Sequence, residues 1–340
     1  AEQALAARCL AALGGCGALA PLAVERVAGQ RLARGLRELV TMLLLGFARV
    51  SFAYCGQDPP ADPSLPAGLS PTSVQLQEAA GGLEWVGFFG LALVWLGRRW
   101  EERVVGKVSA TAREVLAGMR AGPPDAELPP EAAVARATLA ATEAAITHFV
   151  LVSGQHLAHS LRDAVGNREW LTAKAPEEPS RAAEAVAKDV DAYDAQLARI
   201  LGDPRKPRSG GHRRVFNLNK TSMELELERM MAKRLQAFAP APLSRRGAIA
   251  GILRIAFKAL YEYAREQTFT KFGLQQVQVD ASLFAELARD FADAEDANAL
   301  GGLLGEALHS ASQRCAEPVL LEERVVEALS DGRRRGLRAE

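Results

Sequence analysis

The strongest pattern in this chain is an apolar stripe that recurs every three to four residues. It is clearest from 245 to 266, where the stripe comprises Ile249, Ile252, Leu253, Ala256, Phe257, Leu260 and Ala264. The charged residues of this segment, such as Arg254, Lys258 and Glu262, fall off the stripe. Apolar residues at this spacing are typical of an amphipathic α-helix, whereas a half-buried strand would alternate apolar and polar residues. No comparable alternating run occurs, so we predict an all-α fold.

Similar stripes predict further helices. They occur at 181–201, at 281–291 and around 300–311. Longer helices are predicted at 22–55 and 73–120, the second with a break near Gly81 and Gly82. Because no stripe is long and apolar all round in the second half of the chain, we expect several amphipathic helices that pack against their neighbours.

Helix ends are also indicated by the sequence. Ser244 and Asp280 are placed to accept hydrogen bonds from the first free amides of helices starting at 245 and 281. Thr221 and Glu224 have the spacing of a capping box. Pro129–Pro130 suits the start of a helix.

The breaks between helices divide the chain into three predicted bundles. These are 1–122 with a mobile Pro-rich loop at 56–71, 123–217 ending in a basic loop, and a carboxy-terminal bundle at 218–340. Short connections between helices favour packing between neighbours, so we expect an elongated, rod-like stack of helical bundles. The radius of gyration should then exceed the value of about 20 Å for a compact chain of this length.

Composition excludes several classes of protein. The 41 basic and 41 acidic residues cancel, so there is no net field to attract nucleic acid or an anionic membrane. The cysteines Cys9, Cys16, Cys55 and Cys315 have neither a zinc spacing nor the density of a disulfide framework, which favours a reducing, cytosolic setting. The chain opens in helical rhythm without Met, so we expect a fragment of a longer protein.

Two apolar stretches are candidates for a membrane span. The first is 39–45 with its extension to Phe52, interrupted by Arg49, and the second is the 13-residue stretch 85–97. A bilayer span needs about 20 apolar residues. We therefore predict that both stretches are buried helices.

The sequence offers only weak candidates for a metal site, a phosphate-binding loop or a catalytic residue. His156, His159 and Asp163 share a helical face at i, i+3 and i+7 and are the best candidate metal ligands, but a solvated face is the favoured interpretation. The GGLLGE segment at 301–306 lacks the spacing and the Lys of a phosphate loop. Cys315 has only His309 nearby in sequence, so we interpret it as a buried apolar residue. We predict no catalytic residue, no metal and no cofactor.

Two clusters of basic residues are candidates for a weak contact with anionic lipid or an acidic partner, with a solvated loop as the favoured alternative. They are Arg205, Lys206, Arg208, Arg213 and Arg214 in the loop at 202–214, and Arg333, Arg334 and Arg335 near the end of the chain.

The most specific segment is FGLQQVQVD, at 272–280. It comprises Phe272, Gly273, Leu274, Gln275, Gln276, Val277, Gln278, Val279 and Asp280. We predict an ordered connection between two helices, in which Gly273 permits the turn. The glutamine amides would satisfy free backbone groups at the helix ends.

Three segments together resemble a known family. They are VSGQHLAHSLRD with REWL at 152–171, GILRIAFKALYEYAREQTFTKFGLQQVQVD at 251–280 and SASQRCAEPV at 310–319. In order and approximate spacing they resemble the vacuolar protein sorting-associated protein 51 family, also called fat-free, whose members are subunits of the Golgi-associated retrograde protein complex. The resemblance covers roughly 150–330, and residues 1–150 match more loosely.

The resemblance implies a non-enzymatic subunit of a vesicle-tethering complex with rod-like helical bundles. It implies sister subunits as partners, SNARE proteins bound through an amino-terminal region not found in this chain, and a peripheral location on the cytosolic face of the trans-Golgi network and endosomes. No nucleic acid and no small-molecule substrate is expected. The alternatives are a subunit of the exocyst or of the conserved oligomeric Golgi complex, and a helical metal- or thiol-dependent enzyme using His156, His159 and Cys315.

Overall fold

The structure, a computed structural model, describes residues 26–57, 83–118, 128–166, 170–202 and 244–330. These residues form eight α-helices and no strand, apart from one isolated bridge pair. The predicted all-α fold is therefore confirmed.

The chain divides into two compact units, Ala1–His148 and Phe149–Glu340, with the boundary inside a helix. The finer division into three bundles stays a prediction.

In its described residues, the first unit contains three complete helices and the first half of a fourth. They are α1 (Arg26–Cys55), α2 (Leu83–Trp100), α3 (Gly106–Gly118) and α4 (Glu131–Gly166), with one π-helical turn at Glu101–Val105 between α2 and α3. The described part of the predicted helix at 73–120 is helical throughout. A π-helical turn interrupts the α-helix at Glu101–Val105, and Val104 and Val105 are buried there.

The start of α4 follows the prediction from its prolines. The Pro130 carbonyl accepts hydrogen bonds from the amides of Ala133 and Val134. Proline has no N–H to leave unsatisfied at a helix start, so it is favoured there.

The two apolar stretches of the first unit are partly buried where their side chains are described, while Leu39, Met42, Phe89 and Trp95 are exposed. Leu44, Leu45 and Phe47 of α1 and Leu91 and Val94 of α2 lie in the core. Trp100 packs against Phe47 with ring centroids 6.3 Å apart and donates its indole N–H to the Leu44 carbonyl at 3.3 Å.

Two helices of the structure, Arg31–Cys55 and Glu131–Gly166, are long and apolar enough to cross a bilayer by length and composition. Of their most apolar windows, 56% and 61% are buried inside the structure. Core helices of soluble proteins have the same properties, so these two helices are weak evidence for a membrane span.

The second unit begins with the carboxy-terminal half of α4. It continues with α5 (Arg181–Leu201), α6 (Arg245–Glu266), α7 (Lys271–Phe291) and α8 (Ala294–Gln313), and a helical segment follows at 323–330. The predicted bounds of α5 and α6 are confirmed.

The caps of α5 and α6 explain where these helices start and stop. Ser180 and Ser244 accept hydrogen bonds from the amides of Ala183 and Gly247, at 3.2 and 3.1 Å. These bonds satisfy amides that have no partner within the helix. Gly202 ends α5 in the left-handed conformation with φ of 67°, which favours glycine.

The predicted stripe of α6 is the centre of the second unit. All seven of its apolar residues are buried. Phe257 of α6 meets Phe284 of α7 with ring centroids 5.4 Å apart. The predicted α8 stripe is buried at Leu300, Leu304 and Leu308, while Leu303 is only half-buried.

Two ion pairs join α6 to neighbouring helices. Arg245 forms a two-pronged ion pair with Asp194 of α5, and both side chains are buried. Removing one partner of such a pair leaves an uncompensated charge in the core, which is strongly destabilising. Arg254 also contacts Asp296 in the first turn of α8, at 2.9 Å.

Several predictions fall outside the described residues. These are the capping box at Thr221 and Glu224, the break at Gly81 and Gly82, the loop at 58–71, the basic residues at 205–214, the arginines at 333–335, and Cys9 and Cys16.

Leu260→Asp should be severely destabilising, because Leu260 is buried on the α6 stripe and the new carboxylate would lose its hydration there. The loss of a buried leucine and the burial of a charge together should lower the free energy of unfolding by about 3–5 kcal/mol. Urea unfolding followed by circular dichroism measures this. Lys258→Asp, at an exposed position of the same helix, is the control. A Leu260→Asp chain with unchanged helicity and melting would contradict the buried position.

Candidate functional site

The FGLQQVQVD segment is helical throughout and lies in the first three turns of α7. Thr270 caps this helix by accepting a hydrogen bond from the Gly273 amide at 3.3 Å. The prediction of a connection between two helices was therefore wrong. Gly273 makes no left-handed turn, since the described glycines with positive φ are Gly56 and Gly202.

Three glutamines of this segment are buried in the structure. Gln275, Gln276 and Gln278 are only 4%, 5% and 8% exposed. A buried side-chain amide without hydrogen bonds would be costly, so each of these needs partners. All three find them on the backbone of non-helical segments far away in the sequence.

Gln275 and Gln278 contact the segment that follows α8. Gln275 Nε2 donates to the Val319 carbonyl at 3.1 Å. Gln278 Nε2 donates to the Leu321 carbonyl at 3.1 Å, and Gln278 Oε1 accepts from the Leu321 amide at 2.8 Å. One side-chain amide thus satisfies both polar backbone groups of Leu321, as a neighbouring strand would.

Gln276 and Asp280 contact the segment that precedes α5. Gln276 Nε2 donates to the Glu178 carbonyl at 3.0 Å and to Asp280 Oδ1 at 3.1 Å. Asp280 Oδ1 accepts from the Ser180 amide at 2.7 Å. Asp280 was predicted to cap a helix at 281, which was wrong. It lies inside α7 and instead binds the residue that caps α5.

Gly273 is required by a close approach rather than by a turn. A Cβ atom at this position would lie 3.1 Å from the Trp170 carbonyl oxygen and 3.4 Å from its ring. Trp170 is itself fixed, because its indole N–H donates to Val165 at 2.8 Å and its ring meets Phe269 at 5.1 Å. Thr270 Oγ1 also donates to the Trp170 carbonyl at 2.9 Å.

A cleft of about 590 Å³ lies beside α7 in the second unit. The segment 174–182 forms one side, and its apolar lining includes Leu161, Leu260 and Phe284. The polar groups that reach it from α7, Gln276 and Asp280, already bind the backbone of this same segment.

The candidate metal ligands of α4 do not converge. His156 Nδ1 lies 3.2 Å from the Tyr193 hydroxyl and 3.9 Å from Asp189 Oδ2, both on α5. His159 Nε2 instead lies 3.5 Å from Asp163 Oδ2 on its own helix. Within the described residues no three His, Cys, Asp or Glu side chains are grouped as metal ligands.

Cys315 lies in the isolated parallel bridge with Phe269, whose amide donates to the Arg314 carbonyl at 3.0 Å. Its predicted burial is only partial. The imidazole of His309 contacts Gln313 at 3.0 Å, and no contact in the described part of the chain joins it to the thiol.

The structure adds one titratable cluster that the sequence did not suggest. In the first unit, the Tyr54 ring lies 5.1 Å from the His148 ring and next to Cys55. Burial raises the pKa of the Cys55 thiol to about 12. Burial, followed by the charge of Cys55, raises the pKa of Tyr54 to about 12, and burial lowers the pKa of His148. The thiol is therefore protonated at neutral pH, unlike an activated nucleophile.

Comparison with known proteins gives consistent matches. The chain is 30% identical over 212 residues to the vacuolar protein sorting-associated protein 51 homolog of Gallus gallus, covering 56% of this chain and 27% of that protein. The homolog of Homo sapiens is 30% identical over 208 residues, covering 55% and 26%. The homolog of Drosophila melanogaster is 28% identical over 212 residues, covering 54% and 28%.

The resemblance to the vacuolar protein sorting-associated protein 51 family is confirmed. All eight curated proteins that match carry this name. The chain spans about a quarter of the length of these relatives. No family model matches the chain. No solved structure matches it either.

Gly273→Val should lower the free energy of unfolding by about 1–3 kcal/mol, the usual range for overpacking, because the added atoms would press against the Trp170 carbonyl. Gly302→Val on α8 is the matched control, since no heavy atom lies within 4 Å of its added Cβ. Thermal and urea unfolding measure both. If Gly273→Val melts with the parent but loses a partner, the segment is a binding surface instead.

His148 should make the chain less stable in acid. Its pKa in the folded state is below the ordinary value of 6.5, so the unfolded state binds more protons as the pH falls through 6.5. The contribution of His148 to stability is therefore full above pH 6.5. It declines as the pH falls from 6.5 toward the folded-state pKa.

Replacing the imidazole tests this pH dependence. His148→Phe should remove this part of the decline, because phenylalanine binds no proton. Urea unfolding between about pH 8 and pH 5 measures it. The exposed His159→Phe is the control. Parallel profiles for His148→Phe and wild type would contradict the prediction.

Proposed function

We propose that this chain is a non-enzymatic subunit of a vesicle-tethering complex. The observation that carries the proposal is the match, over 56% of the chain, to proteins named vacuolar protein sorting-associated protein 51 homolog. An all-α chain of packed amphipathic helices is the architecture that the resemblance implied, and the structure has that fold class.

In the described residues, the polar groups that the sequence singled out give little support for chemistry. The buried amides of Gln275, Gln276 and Gln278 are engaged by the backbone of the same chain. The Cys55 thiol has a pKa that opposes nucleophilic chemistry. A helical metal- or thiol-dependent enzyme is the weaker candidate, and zinc and iron analysis of the purified chain would detect its metal-dependent form.

The route we propose is retrograde transport from endosomes to the trans-Golgi network, together with endosomal recycling. The complex is the Golgi-associated retrograde protein complex, on the cytosolic face of these membranes. Its sister subunits are the partners. The exocyst and the conserved oligomeric Golgi complex are the alternative assemblies, because their subunits share the helical rods. We also propose that the FGLQQVQVD segment serves the fold of this subunit through Gly273, Gln276 and Asp280.

Affinity purification of the tagged chain from its native cells, followed by mass spectrometry, tests the assembly. We expect the sister subunits of the Golgi-associated retrograde protein complex at near-stoichiometric amounts. The unfolding variant Leu260→Asp is the control for non-specific capture and should lose them. Recovery of exocyst subunits instead would contradict the proposed complex, as would recovery of no subunit of any tether.

The isolated chain should bind a cognate SNARE weakly or not at all, because the resemblance assigns the SNARE contact to an amino-terminal region that was not found in this sequence. Titration of the purified chain with the SNARE, followed by calorimetry, measures the affinity. Tight and saturable binding would place the contact in the helical part of the subunit.

A further inference from the structure

The segment 316–322, here called the strap, lies along α7 after the end of α8. Its side chains contribute little to the core, since Glu317 and Pro318 are exposed and Val319 is 49% exposed. The two α7 side chains that it contacts, Gln275 and Gln278, are buried. The strap is therefore bound chiefly through its backbone.

Three hydrogen bonds attach the strap, and all of them use its backbone. They join Gln275 to the Val319 carbonyl, and Gln278 to both the carbonyl and the amide of Leu321. Backbone groups are the same in every polypeptide, so such contacts bind an extended segment with little regard to its side chains. Leu320 and Leu321 are half-buried, which adds a preference for two apolar residues.

The segment on the other side of α7 is held at both of its ends. It begins with a 3-10 turn at the buried Trp170 and ends at Ser180, which caps α5, so it has α4 before it and α5 after it. The strap has a long α-helix on one side only, which is α8. On its other side, the helical segment 323–330 buries few side chains, among them Val326 and Ser330. Segments with few buried apolar contacts open at the lowest cost.

We propose that Gln275 and Gln278 form a peptide-binding site that recognises the backbone of an extended segment. The strap occupies this site within the chain, and an extended segment of a partner polypeptide with two adjacent apolar residues takes its place when the strap detaches. The strap shows which chemistry the site accepts, because the segment seated there is itself such a peptide. The inference does not depend on the tethering role.

Hydrogen exchange of the wild-type chain tests whether the strap detaches. The Leu321 amide is bonded to Gln278, and the Ser180 amide is bonded to Asp280 in the same kind of side-chain contact. If the strap opens locally, Leu321 should exchange at least about 100-fold faster than Ser180, relative to the rates in unstructured peptides. Equal protection of the two amides would mean that the strap leaves only on global unfolding, and would overturn the proposal.

Binding of a peptide tests whether the site accepts a segment from another chain. The probe is a fluorescein-labelled peptide of residues 316–330, added to the full chain carrying Leu321→Pro. This change removes the amide that donates to Gln278, one of the three hydrogen bonds of the strap, and so should weaken its attachment. The tethered strap competes at high effective concentration, so the peptide should bind Leu321→Pro at least about tenfold more tightly than wild type.

Two further variants separate the site from its surroundings. Adding Gln278→Leu to Leu321→Pro should abolish peptide binding, whereas adding Gln276→Leu, which affects the other segment, should leave it unchanged. No binding to a folded Leu321→Pro chain would overturn the proposal. If Leu321→Pro does not fold, the hydrogen-exchange comparison on the wild-type chain decides it. A concentration-dependent dimer of the wild-type chain that Gln278→Leu abolishes would overturn the proposed occupant and replace it with a second copy.

Discussion

The second unit depends on one constraint, which is that polar groups buried on α7 must be hydrogen-bonded. Two non-helical segments lie along this helix, and neither is part of a sheet that could satisfy its backbone. The side chains of Gln275, Gln276, Gln278 and Asp280 supply those hydrogen bonds. Because the helix satisfies its own backbone, only its side chains can bond to an extended neighbour, and glutamine carries both a donor and an acceptor.

This arrangement links distant parts of the chain. Asp280 holds Ser180, and Ser180 in turn caps α5. At the other end of the same segment, Trp170 is held between Val165 of α4 and Thr270 at the start of α7. Loss of one amide would remove a part-buried hydrogen bond, whose net contribution is about 0.5–1.5 kcal/mol. The positions of α4 and α5 against α7 are thereby set by polar contacts as well as by the apolar stripe of α6.

Sequence reasoning succeeded where the determinants are local. The bounds of α5 and α6 were predicted correctly because each helix carries a continuous apolar stripe, and α6 also begins at the capping Ser244. It failed at the start of α7, where Gly273 and three glutamines were interpreted as a connection between two helices. Glutamine is a good helix former, and its partners here lie 43 to 98 residues away, so no local pattern reveals them. Likewise, nothing in the sequence places His148 beside Tyr54.

Because side chains of α7 bind the backbone of the strap, the two sides of this contact tolerate substitution differently. The glutamines are restricted, because the shape and both polar groups of the amide are used. The strap is much less restricted, because Val319 and Leu321 contribute a carbonyl or an amide that almost any residue could supply. Proline at 321 is an exception, since it lacks the donor. A relative that is 30% identical can therefore keep this geometry with quite different strap residues, provided that it retains the amides of α7. The FGLQQVQVD segment is specific for this physical reason, although the sequence alone suggested a turn.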